Sequence, residues 1–467
     1  MPLTKLSFAV HSERLSSVYE TALLTLCSLN RLRIFSQLTD LMKSIHYSIH
    51  FKILFLAISF FIKEVAAETD LDKPMPLEDY LRYAQANNPE LHIFEQRYEA
   101  ARERIPQMRS LPDPRLEITH FVESVETRTG PQENVIKLSQ TFPWFNKLDR
   151  REAVSSAEAE ALWFAYKGQQ LTLAREVATI FYEYGYLGKT IELTGKNLDL
   201  LRKLEPIVSE RVRAGANLNT LLRLQVEMGK IEDRLHTLEQ ARFSQNARFA
   251  ALLNHKTDTL LPWPIWDARR IQNLDGGSLE QALISNNPEL QMLDRQIESQ
   301  TARVALAKLE SYPDITLGVN YIQTGSAVSP NTRDSGKDPW GIMLGLNLPI
   351  WVDKNRAARR EIRAHKNAIE RQRQHRENQL RAELSTALAE LENANRQLEL
   401  YGEDLLDKAQ QAVEISQASY ENSRAGIFEV IDSERSLLEL RMLYWRAAAD
   451  VWQNHIYIQT LVNQTLY

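Results

Sequence analysis

The side chains with most scope for chemistry are two acids near the C-terminal end, Glu429 and Asp432. They stand three residues apart just after Gly426, so they share one face of an opening helical turn. Acids in a first turn complement the helix dipole, which is one reading. The other, a cation-attracting ring of Glu429 and Asp432 from several copies around one axis, is what the resemblance given below implies. Catalysis has less to work with. GxGxxG, HExxH, GxSxG and a Walker-type GxxxxGK run are absent, and with them the familiar nucleotide, zincin and hydrolase patterns. The seven histidines beyond residue 67 form no HxH or HxxxH pair. His365 and His375 lie ten apart, about 15 Å along a helix, too far for one zinc ion. His120 and His255 stand alone. The single cysteine, Cys27, rules out a thiolate metal site and an intrachain disulfide. No catalytic residue, resident metal or cofactor is expected.

The elements that must position the acids are unusual. From Asp314 to Trp351 the chain reads DITLGVNYIQ, then a loop rich in Gly, Ser, Pro and Asp, then WGIMLGLNLPIW. Ile315, Leu317, Val319 and Tyr321 alternate with Thr316, Gly318, Asn320 and Ile322, and Ile342, Leu344, Leu346 and Leu348 alternate likewise. Period two, twice, around a turn-rich loop predicts a β-hairpin. Roughly ten residues is the length of a tilted bilayer-spanning strand, and the small, polar second face suits a wet lumen. After this hairpin the sequence predicts one long helix over about 355–424. Leu380, Leu384, Leu388, Leu391, Leu398, Leu405, Ala409 and Val413 form its stripe at helical spacings. At 1.5 Å per residue it would be a rod of about 100 Å.

The plan occurs twice. Asn87-Asn88-Pro89-Glu90-Leu91 recurs as Asn286-Asn287-Pro288-Glu289-Leu290, and Ser110-Leu111-Pro112-Asp113 as Ser311-Tyr312-Pro313-Asp314. Phe142-Pro143-Trp144-Phe145 recurs as Leu348-Pro349-Ile350-Trp351, and Arg213-Ala214-Gly215 as Arg424-Ala425-Gly426. Four landmarks in one order define two repeats, 68–253 and 278–467, joined by a linker over 254–277. Each should run helix (about 77–110, 279–311), hairpin, long helix, returning helix (about 218–253, 428–463). The strands are expected at about 115–123, 134–142, 314–323 and 340–349. The first hairpin would be joined by SVETRTGPQE, and His120 breaks its alternation. Gly215 and Gly426 are read as the residues that end the two long helices. Around these tip turns stand the apolar Leu218, Leu221 and Ile427, and the cations Arg213 and Arg424. Each arginine is either a solvated helix-end cation or a latch to a neighbouring carboxylate.

Ahead of the repeats, the apolar run Ile53–Ile62 follows Lys43 and Lys52 and precedes Val65-Ala66-Ala67, which predicts a signal peptide over 1–67. Met42 would be a more natural start, so 1–41 reads as an over-extended gene start. No run of 18 or more apolar residues marks a spanning helix. The net charge of −5 disfavours bulk nucleic-acid binding.

Four strands cannot close a barrel, and an open edge in lipid leaves backbone groups unpaired. Hairpins in a membrane therefore require several copies to share one barrel. Phe142, Trp144, Phe145, Trp340 and Trp351 stand at strand ends, where an interface girdle would be, or else pack on the following helix.

The export pattern, duplicated helix–hairpin–helix halves, Asn-Asn-Pro-Glu-Leu openings, proline-containing strand exits and Ala-Gly tip turns together resemble the TolC-type outer-membrane efflux family over about 74–463. The resemblance implies a mainly α fold in the outer membrane of a Gram-negative cell. Three copies would form a periplasmic helical tunnel capped by a shared 12-strand barrel embedded in outer-membrane lipid. It implies a passive channel, not an enzyme, with a periplasmic adaptor and an inner-membrane pump as partners. Acids near the Glu429 turn would ring the periplasmic aperture. Leu111–Pro114 (LPDP) and Arg424–Arg441 (RAGIFEVIDSERSLLELR) look most like the branch serving heavy-metal cation pumps. A periplasmic coiled-coil scaffold or adaptor without a channel is the competing expectation.

Overall fold

The computed structural model describes residues 71, 73–271, 274–422 and 424–464. The expected signal peptide, 1–67, lies outside the described residues. The first repeat contains α1 (Leu77–Asn87), α2 (Pro89–Arg109), β1 (Arg115–Thr127), β2 (Gly130–Phe142), α3 (Lys147–Arg213) and α4 (Leu218–Leu252). The second follows with α5 (Gly276–Asn286), α6 (Pro288–Leu309), β3 (Ile315–Thr324), β4 (Trp340–Leu346), α7 (Val352–Glu399), α8 (Leu406–Glu421) and α9 (Ile427–Leu461).

The Asn-Asn-Pro step splits each opening helix in two. Proline supplies a preset first helical residue, and the asparagine before it caps the new helix. Asn88 Oδ1 accepts from Leu91 N at 3.1 Å, while its Nδ2 donates to Leu252 O at 2.9 Å. Asn287 repeats both roles, accepting from Glu289 N at 2.9 Å and donating to Leu461 O at 2.9 Å. One side chain thus starts a helix and ties it to the end of its own repeat's returning helix.

The strands form one antiparallel sheet in the order β1-β2-β3-β4, with β1 and β4 as edges. The first hairpin is longer than expected: its strands run on to a two-residue turn at Arg128-Thr129, so most of SVETRTGPQE is strand. Gly130, at φ 132°, makes this possible, because any Cβ there would strike the Gly325 carbonyl. The irregularity at His120 is real. Phe121–Ser124 stand opposite Glu133 alone, and pairing resumes at Val125–Gln132. β4 ends at Leu346, three residues short of expectation, where Asn347 turns its side chain to accept from Asp314 N.

The 67 residues of α3 make a helix of about 100 Å. Its counterpart is not one continuous α-helix to 424 as expected. It passes through a π turn at Leu400–Leu405 and ends at Glu421. Arg424 lies 75 positions after Pro349, whereas Arg213 lies 70 after Pro143. A π turn takes in an extra residue without ending the helix, and a longer tip turn takes in others. Of the expected stripe, Leu380, Leu384, Leu391, Leu398 and Val413 are buried. Leu380, Leu384, Leu391 and Leu398 join α5 and α9 in one core. A second core gathers α1, α3 and the end of α4, and a third lies at the tip. The inter-repeat segment is strapped down by Asn395, which accepts from Ile271 N (3.1 Å) and donates to Ile271 O (2.8 Å).

Candidate functional site: the helical tip and the two-faced sheet

At the tip, the α3–α4 and α8–α9 turns pack side by side. Ile427 is buried among Leu201, Val208, Leu224 and Tyr420; Leu221 packs against this cluster, and Leu218 is exposed. Gly215 ends α3 in a left-handed conformation (φ 106°), as expected of a helix-ending glycine. Gly426 does not repeat that role. Its φ is −84°, and it is the N-cap of α9, because α8 has already ended five residues earlier at Glu421. Glu429 and Asp432 are both exposed on the first turns of α9. Asp432 lies 4.0 Å from Arg435, which itself reaches across to Glu227 of α4 at 2.9 Å.

The arginine that spans the two turns is Arg211. Its guanidinium lies 4.1 Å from the centroid of the Tyr420 ring, and Nη2 donates to Tyr420 O at 3.0 Å. Arg213 pairs instead with Glu210 of its own helix, and Arg424 is exposed. The difference is angular: two residues along a helix turn a side chain by about 200°. Above this level Glu434 is buried on α9, accepting from Gln417 Nε2 at 3.0 Å. Burial pushes its carboxyl above the usual range, offset only in part by Arg441 and Gln417. Neither Arg211 nor Glu434 was singled out from the sequence. A last-turn arginine one turn from the tip, and an acid on the apolar side of α9, were the available signals.

At the other end, the sheet has two unlike faces. Leu116, Leu138, Val319 and Ile342 are register partners across all four strands, as are Ile118, Ile136, Tyr321 and Trp340. All eight are exposed. The opposite face carries Glu117, Lys137, Asn320 and Gly341 in one row, and Ser139, Gly318 and Met343 in another. Lys137 Nζ donates to Glu117 at 3.2 Å, and Thr141 and Thr316 hydroxyls bond at 3.0 Å. Phe142, Phe145 and Trp351 are exposed at the helix-side end and Trp340 at the far end. Trp144 is half-buried and stacks on Tyr312, ring centroids 5.4 Å apart.

Where sheet meets helices, Lys147 at the start of α3 is 1% exposed, with Nζ 2.8 Å from Asp314 Oδ1 and 3.1 Å from Tyr312 O. The same carboxylate accepts from Trp144 N at 2.8 Å. Burial pushes the Asp314 carboxyl up, but Lys147 and the Trp144 amide outweigh it and hold the group below its ordinary range. This pair fastens the root of one hairpin to the root of the other.

Among the described residues no helix is long and apolar enough to cross a membrane. Nor is any group of three or more His, Cys, Asp or Glu side chains placed to hold a metal ion.

Residues 279–464 match the family model described as outer membrane efflux protein. The chain is 21% identical over 399 residues to Nodulation protein T of Rhizobium leguminosarum bv. trifolii, covering 80% of this chain and 82% of that one. In structure it is similar to CusC (TM-score 0.71, 15% identity, 85% of this chain and 94% of that one). It is also similar to the outer membrane protein VceC of Vibrio cholerae (TM-score 0.68, 16% identity, 84% and 97%). The second repeat thus matches the outer membrane efflux protein family, and the whole chain shares the fold of these channels, in line with the resemblance read from its sequence. The match and these neighbours are to outer-membrane transport proteins, not to enzymes.

Proposed function

We propose that the chain is the exit duct of a tripartite efflux system. Three copies share one 12-strand barrel, their long helices form a periplasmic tunnel, and an adaptor and inner-membrane pump deliver the cargo. The observation that carries this reading is the four-stranded sheet, apolar and exposed on one face, polar on the other, and open at both edges. An apolar face of that extent needs a cover. Unpaired strand edges in lipid need another copy to satisfy them. A periplasmic scaffold has no use for either feature. The repeats at 68–253 and 278–467, linked through 254–277, supply the two hairpins each copy contributes, and 1–67 would direct export.

In this reading Phe142, Phe145, Trp340 and Trp351 meet the two lipid interfaces, with Trp144 bracing the sheet root. The turns at Gly215 and Gly426, with Leu218, Leu221 and Ile427, form the periplasmic tip. Glu429 and Asp432, exposed and three apart, line its aperture and favour cations. Arg211 is the latch between the two turns in this reading, while Arg213, paired on its own helix, and Arg424 take the alternative role of solvated helix-end cations. The cargo class we propose is heavy-metal cations, on the strength of the Leu111–Pro114 and Arg424–Arg441 sequences. Purified protein should form discrete cation-selective channels in planar bilayers, and its deletion should raise sensitivity to copper, silver, zinc or cadmium salts. A water-soluble species with no conductance would overturn the duct. Conductance with unchanged metal sensitivity but altered drug sensitivity would overturn the cargo alone.

A further inference from the structure

The chain contains its own template for the contact between copies. Within one chain, the last strand of the first repeat (β2) pairs with the first strand of the second (β3). The helices that follow and precede them, α3 and α6, pack together, and the buried Lys147–Asp314 pair locks the joint. The outer edges, β4 with α7 and β1 with α2, are the repeat equivalents of the same surfaces and are uncovered. In the shared barrel β4 and α7 of one copy meet β1 and α2 of the next; we infer that Lys354 of the first is locked by Asp113 of the second, with Leu344 opposite Ile118. This rests on the shared-barrel reading above and specifies its joint.

The mapping follows from the landmarks. Pro112-Asp113 matches Pro313-Asp314, so Asp113 is the counterpart of Asp314. The second repeat has one extra residue between the strand-exit proline and the first helical lysine, which makes Lys354 the counterpart of Lys147. The burial along α7 agrees with that shift. Its half-buried positions Arg359, Ile362 and Lys366 correspond to Glu152, Ser155 and Ala159 of α3, which are also covered. The strip of α3 that meets α6 and the turn after it includes Lys147 and Arg151, paired with Asp314 and Glu310 of that turn, and Glu158, paired with Arg303 of α6. Its α7 counterparts Lys354, Ala358 and His365 are all exposed. On the other edge Asp113 is exposed, as is Ala100, the counterpart of Ser299, which α3 buries. Neither Lys354 nor Asp113 has an ion-pair partner among the described residues of its own chain, and the two charges are complementary.

The strands fix the register. Leu138 faces Val319 in the observed pairing. The repeat equivalents are Leu344 on β4 and Ile118 on β1, so these two should stand opposite each other across the joint. Both lie on the apolar, exposed face, and continuing from them places Leu346 opposite Leu116, so the apolar belt runs on without a break. A one-residue slip would put Leu344 beside a residue of the polar face. The contact is head-to-tail, the type that closes into a ring.

Paired cysteines test the register. In full-length protein with Cys27→Ser, Ile118→Cys with Leu344→Cys should cross-link between copies on mild oxidation and give a ladder ending at the closed ring. Leu116→Cys with Ile342→Cys, four residues out of register, should not. Cross-linking from the second pair, or none from the first in membrane-inserted protein that still conducts, overturns the joint and leaves the duct standing. Protein that neither assembles nor conducts overturns both. Charge exchange tests the lock. Lys354→Asp and Asp113→Lys should each lower the temperature at which the oligomer dissociates in detergent, and together restore it. A double variant no better than the worse single one removes the lock.

Discussion

The Lys147–Asp314 pair offers the sharpest test of how the hairpin roots are joined. Replacing Asp314 with Asn leaves a lysine that is 1% exposed facing a neutral amide. Stranding one member of a buried pair costs about 3–5 kcal/mol. The Tyr312 carbonyl at 3.1 Å stays in place, and Glu310, half-exposed at 3.7 Å, still neutralises part of the charge. That places the expected loss at about 3 kcal/mol, the lower end. Lys147→Met should cost less, about 2 kcal/mol, since Asp314 keeps the Trp144 amide and some water. Replacing both, Lys147→Met with Asp314→Leu, removes the desolvation penalty along with the attraction, so the double variant should lie within about 1 kcal/mol of wild type. Denaturant unfolding in detergent micelles, followed by the fluorescence of Trp144 at the joint, reads all three. The pH dependence has a definite sign. The folded carboxyl sits below its unfolded value, so the pair's contribution is complete above the unfolded value near ~3.9 and fades only as pH falls through the folded one. An Asp314→Asn loss under about 0.5 kcal/mol, or single losses that simply add in the double variant, would refute the reasoning.

Other expectations follow from the tip and the turns. Glu434→Gln should raise the unfolding midpoint at pH 7.5, because the ionised carboxyl is penalised by burial; the advantage should close as pH falls through the raised value toward the unfolded carboxyl range, and an advantage that grows on acidification would contradict it. Arg211→Ala should loosen the contact between the two tip turns and increase single-channel open time, while Arg213→Ala, whose partner is on its own helix, should change it little; the reverse order would make Arg213 the latch instead. Gly130→Ala meets both a left-sided φ and the Gly325 carbonyl, so it should destabilise the hairpin turn by about 1–3 kcal/mol, read as faster protease cleavage near 128–130. Glu429→Gln with Asp432→Asn should reduce cation selectivity and divalent block; identical current–voltage curves would return both acids to the role of dipole partners.

Much of the architecture was written in local patterns. The Asn-Asn-Pro steps, the period-two runs and the long leucine stripe each act within a few residues. Backbone sterics and one-sided burial therefore announce the repeated helix–hairpin–helix plan before any packing is known. A conformation set at a single residue depends on more than its neighbours in sequence. Gly215 takes the left-handed turn, but Gly426 caps the next helix, because the π turn and the longer tip loop shift the end of α8 back to Glu421.

What only the tertiary structure decided is which side chains meet. Arg211 and Arg213 look alike in a sequence, yet two helical residues turn them to different sides, and only the seating of α8–α9 beside α3–α4 selects Arg211 for Tyr420. Lys147 and Asp314 lie 167 residues apart, so no spacing rule joins them. The sheet order that sets β2 against β3 brings them together, and that same order leaves their repeat counterparts on opposite, open edges. Periodicity fixes which face a residue occupies; long-range pairing fixes what that face touches.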